Sequence, residues 1–173
     1  MTDTIFALAS GAPPCAIAVI RVSGPGALAV ADRLAGKPIV PRRATLANLR
    51  TEGGEILDQA IVIALPGPGS ATGEDCVEFH CHGSRAVVQA VESALANFQD
   101  LRPAEPGEFT RRAFANDRLD LAEVEGLGQL LRAETELQRR VALGALGGAL
   151  SRRIAEFRQR LLGISAMVEG LLD

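Results

Sequence analysis

From Leu143 to Leu171 nine apolar residues, Leu143, Leu146, Leu150, Ile154, Phe157, Leu161, Ile164, Val168 and Leu171, recur at steps of three and four. That spacing lines them along one narrow stripe of an α-helix, and such a stripe requires partner helices. Thr135-Glu-Leu-Gln138 matches a capping box, in which the first side chain accepts from an orphan amide and the fourth reaches back. The reading is therefore one long helix beyond Thr135. Asp120-Leu-Ala-Glu123 matches the same pattern and opens a shorter helix, Leu121 to Ala133, the one neighbour this stretch supplies. Gly144, Gly147 and Gly148 permit close helix contact, although each costs about 1 kcal/mol of helix propensity relative to alanine. The final MVEGLLD carries no helix-ending signal, so the expectation is a fragment holding part of a helical bundle.

The first half has a different period. Thr4 to Ala9 and Ile17 to Val22 read as strands, and Ser23-Gly24-Pro25 opens a helix carrying Leu28, Val30 and Leu34 that stops at Gly36. Ala44 to Leu49 and Ile56 to Leu65 read as two strands joined through the hairpin signal Thr51-Glu52-Gly53-Gly54. PGPGSATG follows, too rich in glycine and proline for regular structure. Cys76 to His82 is a strand, and Ser84 to Phe98 an amphipathic helix with Val87, Val91 and Leu95 on one stripe. Strand signals vanish from about Pro106. The fold class is α+β, a mixed sheet with packed helices followed by part of a helical bundle.

At 173 residues and 47% hydrophobic, the chain is long enough for a core of ordinary size. Its net charge of -3, with no basic run, argues against a domain that grips nucleic acid alone. Cys15, Cys76 and Cys81, with no signal peptide and no apolar stretch long enough to span a bilayer, point to the cytoplasm and away from membranes. Lys37 stands alone against seventeen arginines, so no single surface arginine carries weight by itself.

In TGEDCVEFHCHG, residues 72 to 83, alternation puts Cys76, Glu78, His80 and His82 on one face of a strand and Val77, Phe79 and Cys81 on the other. Four possible metal ligands share that face. Same-face side chains on one strand are spread along a line, however, and the chain has no further histidine to close a tetrahedral shell. A metal-binding protein built on His80 and His82 remains an alternative, as does an interaction module without a small-molecule ligand. A thiolate nucleophile is weaker, because neighbours on a strand point to opposite faces. No G-x-x-x-x-G-K-[ST] loop occurs, so the chain alone is no P-loop enzyme.

The second informative stretch is PGEFTRRAFANDRLDLAEVEG, residues 106 to 126. Pro106 starts a short helix, Phe109 and Phe114 anchor it in a core, and Asn116-Asp117 turn the chain before Asp120 caps the next helix. By composition, Arg111, Arg112 and Arg118 form a solvated corner balanced by Glu108, Asp117 and Asp120.

Together IRVSG at 20–24, LDQAIVIALPGPGSATGEDCVEFHCHG at 57–83 and PGEFTRRAFANDRLDLAEVEGLGQLLRAETE at 106–136 resemble the amino-terminal part of the MnmE family, also called TrmE, the tRNA-modification GTPases. The resemblance runs over essentially the whole chain. It implies an α/β domain over residues 1–118 that dimerises, binds a tetrahydrofolate derivative (5-formyl- or 5,10-methylenetetrahydrofolate) and is similar to folate domains of aminomethyltransferases. Residues 119–173 would begin the family's central helical domain. In the family a GTPase domain using magnesium and potassium follows, and with the flavoprotein MnmG (GidA) the whole protein modifies carbon 5 of the wobble uridine of tRNA. A chain without that domain is expected to be inactive towards GTP. Carried over position by position, the family's folate-contacting residues match Arg21, Glu78 and Arg118, the last a lysine in some members. Departures are Ser84 and Gln129, where the family has a glycine and an acidic residue. The family's terminal Cys-x-Gly-Lys motif does not occur here.

Overall fold

The computed structural model describes residues 3–172, with side chains through residue 170, so Leu171 of the apolar stripe lies outside the described side chains. Contacts divide the chain after Arg118 into two compact units.

The first unit runs β1 (Thr4–Leu8), β2 (Ile17–Ser23), α1 (Ala27–Ala35), β3 (Thr45–Arg50), β4 (Ile56–Leu65), β5 (Cys76–His82), α2 (Arg85–Ala96), β6 (Leu101–Pro103) and α3 (Glu108–Ala115). The strands form one sheet in the order β3-β4-β5-β2-β1-β6. Every neighbouring pair is antiparallel except β1 with β6, which makes the sheet mixed and the fold α+β. The short β6 has no counterpart in the sequence reading. It is three residues long and ends in Pro103, whose missing N–H is tolerated at a sheet edge.

Alternation decides what each face of the sheet does. Ala18, Ile20 and Val22 of β2, Ala60, Val62 and Ala64 of β4, and Val77, Phe79 and Cys81 of β5 turn to one side, where they join Val30 and Leu34 of α1 and Val88, Val91 and Leu95 of α2 in a single core. Burial pushes the Cys81 thiol up to about 12, so it behaves as a small apolar side chain. Residues of opposite parity, Arg21, Ile61, Ile63, Glu78 and His80, form the other face. Ser84 caps α2 by accepting from Val87 N at 3.2 Å.

Helix α3 is built the opposite way from its expectation. Its buried residues are Glu108, Arg112 and Ala113, while Phe114 is 48% exposed and Phe109 half-buried. Charge, not aromatic area, fastens this helix.

The second unit contains α4 (Leu121–Leu131), α5 (Glu136–Leu146) and α6 (Ala149–Leu172). Both expected capping boxes are present, Asp120 with Glu123 and Thr135 with Gln138. The helix expected to run unbroken beyond Thr135 is interrupted at Gly147-Gly148. Gly148 adopts φ +71°, a left-handed conformation that costs an L side chain about 1–2 kcal/mol, and it ends the helix where alanine would continue it. The close helix contact falls at Gly126 of α4, where an added Cβ would lie 2.6 Å from Leu146 N. Gly144 meets nothing within 4 Å. From Leu150 to Val168 the stripe residues are exposed.

Candidate functional site

Strands β2 and β5 pair so that Arg21 lies directly opposite Glu78. Arg21 donates to Glu78 Oε1 from Nε at 3.0 Å and from Nη2 at 2.7 Å. The second carboxylate oxygen, Oε2, lies 3.2 Å from His80 Nε2. Cross-strand neighbours on β4 are apolar, Ile63 opposite Glu78 and Ile61 opposite His80, so a polar group is set in a partly dry frame. Desolvation pushes the Glu78 carboxyl up, but the hydrogen bonds and charge of Arg21, with help from His80, outweigh it and hold the group below the ordinary value. Glu78 is a carboxylate at neutral pH, a strong acceptor on a half-buried surface.

Helix α3 adds an aromatic wall. The Arg21 guanidinium lies over the Phe109 ring, 5.7 Å from carbon to centroid, within cation–π range.

Arg118, the third expected ligand, follows the turn after α3, where its backbone N–H donates to Ala113 O at 2.8 Å. Its stem crosses the loop between β4 and β5. A Cβ on Gly73 would lie 3.0 Å from Arg118 Cγ and 2.9 Å from Asn116 Cβ, and Gly73 itself is at φ +81°. Glycine is thus required there twice over. Among the described residues the Arg118 side chain forms no hydrogen bond or ion pair. The fold brings Arg21 and Glu78 into direct contact, and it sets Arg118 on the glycine of the TGED segment without bonding it to either.

Behind these residues is a charge network that the reading of a solvated corner missed. Arg112 is fully buried and Glu108 is 2% exposed. Arg112 donates to Asp3 O at 2.9 Å, to Asp3 Oδ1 at 3.0 Å, to Glu74 Oε2 at 3.1 Å and to Glu108 Oε1 at 3.1 Å. Arg102 of β6 holds Glu108 through both oxygens, at 2.6 and 2.8 Å. Glu74 also accepts from Ser23 Oγ at 2.8 Å, and Asn116 Nδ2 donates to Thr72 O at 2.8 Å. The bond from Arg102 is the largest cause holding Glu108 down at about 2; its own desolvation opposes it. Burial by itself would lower the Arg112 pKa, but Glu74 and Glu108 raise it above the ordinary value. The network ties the TGED loop and the end of β2 to α3, which fixes the elements that carry Arg21, Phe109 and Arg118. The one signal available in sequence was the i,i+4 spacing of Glu108 and Arg112.

The imidazoles diverge. His80 faces Glu78, whereas His82 Nδ1 lies 2.7 Å from Asp58 Oδ1 and its backbone N–H donates to Asp58 Oδ2 at 2.8 Å. Among the described residues no group of three or more His, Cys, Asp or Glu is placed to hold a metal. No described helix is long and apolar enough to cross a membrane.

An α+β unit with a charged cross-strand pair on one sheet face, followed by helices, is the class that fold and site define. The profile of the family described as GTP-binding protein TrmE N-terminus matches residues 4–118, and the chain belongs to that family. Similar proteins include one from Novosphingobium aromaticivorans, 62% identical over all of this chain and 40% of its own length. Others come from Erythrobacter litoralis, 58% identical over 99% of this chain and 40% of the relative, and Beijerinckia indica, 55% identical over 99% and 38%. All three are named tRNA modification GTPase MnmE. The chain spans about 40% of the length of these relatives.

Proposed function

We propose that the chain is the tetrahydrofolate-binding and dimerisation portion of a cytoplasmic tRNA-modification GTPase. In this reading residues 1–118 bind the folate and residues 119–173 begin a helical domain. GTP hydrolysis, with its magnesium and potassium, belongs to the remaining length of the protein. A flavin-dependent partner, MnmG, completes the modification of carbon 5 of the wobble uridine.

The observation that carries the reading is the Arg21–Glu78 pair on a half-buried sheet face, with the Phe109 ring beside it. Its chemistry suits a reduced pterin ligand. The aminopyrimidine edge of such a ring offers parallel N–H donors, which an ionised carboxylate accepts, and Glu78 is ionised. Arg21 and Arg118 supply positive charge for an anionic ligand; Arg21 does so beside Glu78, and the exposed, uncommitted Arg118 suits the flexible glutamate tail. Bound folate would supply the one-carbon unit.

Calorimetry with 5-formyltetrahydrofolate tests the assignment. The unaltered protein is expected to bind, and Glu78→Ala and Arg21→Ala each to weaken binding at least tenfold. Absence of binding, or equal binding by both variants, overturns it.

A further inference from the structure

Arg118 has a seat but no bonded partner. In the turn after α3 the backbone N–H groups of Asn116, Asp117 and Arg118 donate to Arg112 O at 3.0 Å, Phe114 O at 3.2 Å and Ala113 O at 2.8 Å. Those bonds wind the turn onto its own helix and do not fix it against the TGED loop. Among the described residues, two side-chain ties do that. Arg112, inside α3, reaches Glu74 at 3.1 Å from the buried side. Asn116, exposed and in the turn itself, donates from Nδ2 to Thr72 O at 2.8 Å. This second tie lies where it can act on Arg118. Thr72 precedes Gly73, and the place a Gly73 Cβ would take is 2.9 Å from Asn116 Cβ, 3.0 Å from Arg118 Cγ and 3.5 Å from Arg118 Cδ. Asn116 and the Arg118 stem thus rest side by side on one bare stretch of backbone, and the Asn116 bond keeps that backbone under the stem.

We propose that Asn116 is a positioning residue: by clamping the carbonyl of Thr72 it aims Arg118 at the ligand, and it contributes to binding only through Arg118. This rests on the folate reading of the site, in which Arg118 meets the anionic tail.

The two ties have different duties. Arg112 is fully buried and shared among Asp3, Glu74 and Glu108, so its loss is felt by the whole unit. Asn116 makes one side-chain bond, to the residue next to the glycine on which the Arg118 stem lies. Beyond Cδ the Arg118 guanidinium forms no hydrogen bond or ion pair among the described residues, so the direction of its stem decides where its charge goes. Holding a long side chain in place beforehand spares the ordering it would otherwise undergo on binding, which is worth about two- to tenfold in affinity.

The test is a double-mutant cycle, read by calorimetry of the intact protein with 5-formyltetrahydrofolate, on Asn116→Ala, Arg118→Ala and the two together, with denaturation midpoints measured alongside. Arg118→Ala should weaken binding about tenfold, the loss of one charge-assisted contact. Asn116→Ala should weaken it about two- to tenfold at an unchanged midpoint. The double variant should bind no more weakly than Arg118→Ala alone, because Asn116 then has nothing to aim. A residue that merely steadied the fold would lower the midpoint and weaken binding with or without Arg118. Losses that multiply in the double variant, unchanged affinity in Asn116→Ala or a fall in its midpoint would each overturn the positioning role and leave the folate reading standing. Arg118→Ala binding as tightly as the unaltered protein would do the same, since the folate reading is tested separately at Arg21 and Glu78. Failure of the unaltered protein to bind removes the folate reading and this inference together.

Discussion

The two units hold apolar residues in opposite ways. In the first, Phe79 is completely buried in a core that draws on five strands and two helices. In the second, Phe157 is 58% exposed, along with Leu150, Ile154, Leu161, Ile164 and Val168. Both sequences are strongly patterned, one with period two and the other near 3.6. What differs is how much surface each pattern finds to bury against. Helical amphipathicity specifies a helix and one sticky face; it does not supply the layer that covers the face.

The comparison breaks or sharpens first on one substitution made in both places. Phe79→Ala should cost about 3–5 kcal/mol in chemical denaturation of the first unit, because it removes a large side chain from a packed interior. Phe157→Ala should stay within about 0.5 kcal/mol and instead reduce self-association seen by light scattering. Equal losses of stability would mean that the stripe is covered in solution, and the contrast would be gone.

The next test asks whether charge does in α3 what Phe79 does in the sheet. Arg112→Leu leaves Glu108 and Glu74 without their shared cation, and breaking such a buried pair costs about 3–5 kcal/mol at the upper end and less where water can enter. The loss should be visible in denaturant midpoints, with Arg139→Leu of the second unit, whose partner Glu136 is exposed, showing no measurable change. A neutral result for Arg112→Leu would restore the solvated corner.

That corner shows where sequence was legible and where it was not. Strand β4 was read at both ends, Ile56 and Leu65, because a hairpin signal and a glycine–proline loop bracket a β-branched run. The α1 stop at Gly36 and both capping boxes were equally plain, each being a local device whose chemistry involves neighbours in sequence. The Arg21–Glu78 contact depended on register over 57 residues, and only likeness to a family pointed to it. Arg112 was misread for a related reason. Its partners Asp3 and Glu74 are 109 and 38 residues away, and a charged residue near other charges is ordinarily at the surface.

Acid titration separates the units more gently. Glu108 has a folded pKa of about 2 against 4.5 ordinarily, so its ionisation stabilises the first unit fully above pH 4.5. That contribution is lost as pH falls from 4.5 through about 2. Denaturation midpoints of the first unit should therefore decline across this interval, and Glu108→Gln should be less stable at pH 7 and show a shallower decline. An unchanged acid limb in Glu108→Gln would assign the decline to other carboxylates.

The smallest expected effect lies at the corner between α5 and α6. An unbroken helix was the natural reading of the periodicity, and the chain departs from it at one residue held at φ +71°. Gly148→Ala acts on both sides of that balance. A Cβ penalises the left-handed conformation by about 1–2 kcal/mol, and alanine favours helix over glycine by about 1 kcal/mol. Against this stands the Asp120–Ser151 hydrogen bond, which joins the start of α4 to α6 across the corner. The two sides are close enough for one methyl group to shift the population towards a straight helix. Spin labels at positions 139 and 160, in a background with exposed Cys15 replaced, would then move towards the separation of about 31 Å that 21 helical residues span at about 1.5 Å each. A protein that is destabilised while the distance stays short would show that packing, and not the glycine, makes the corner.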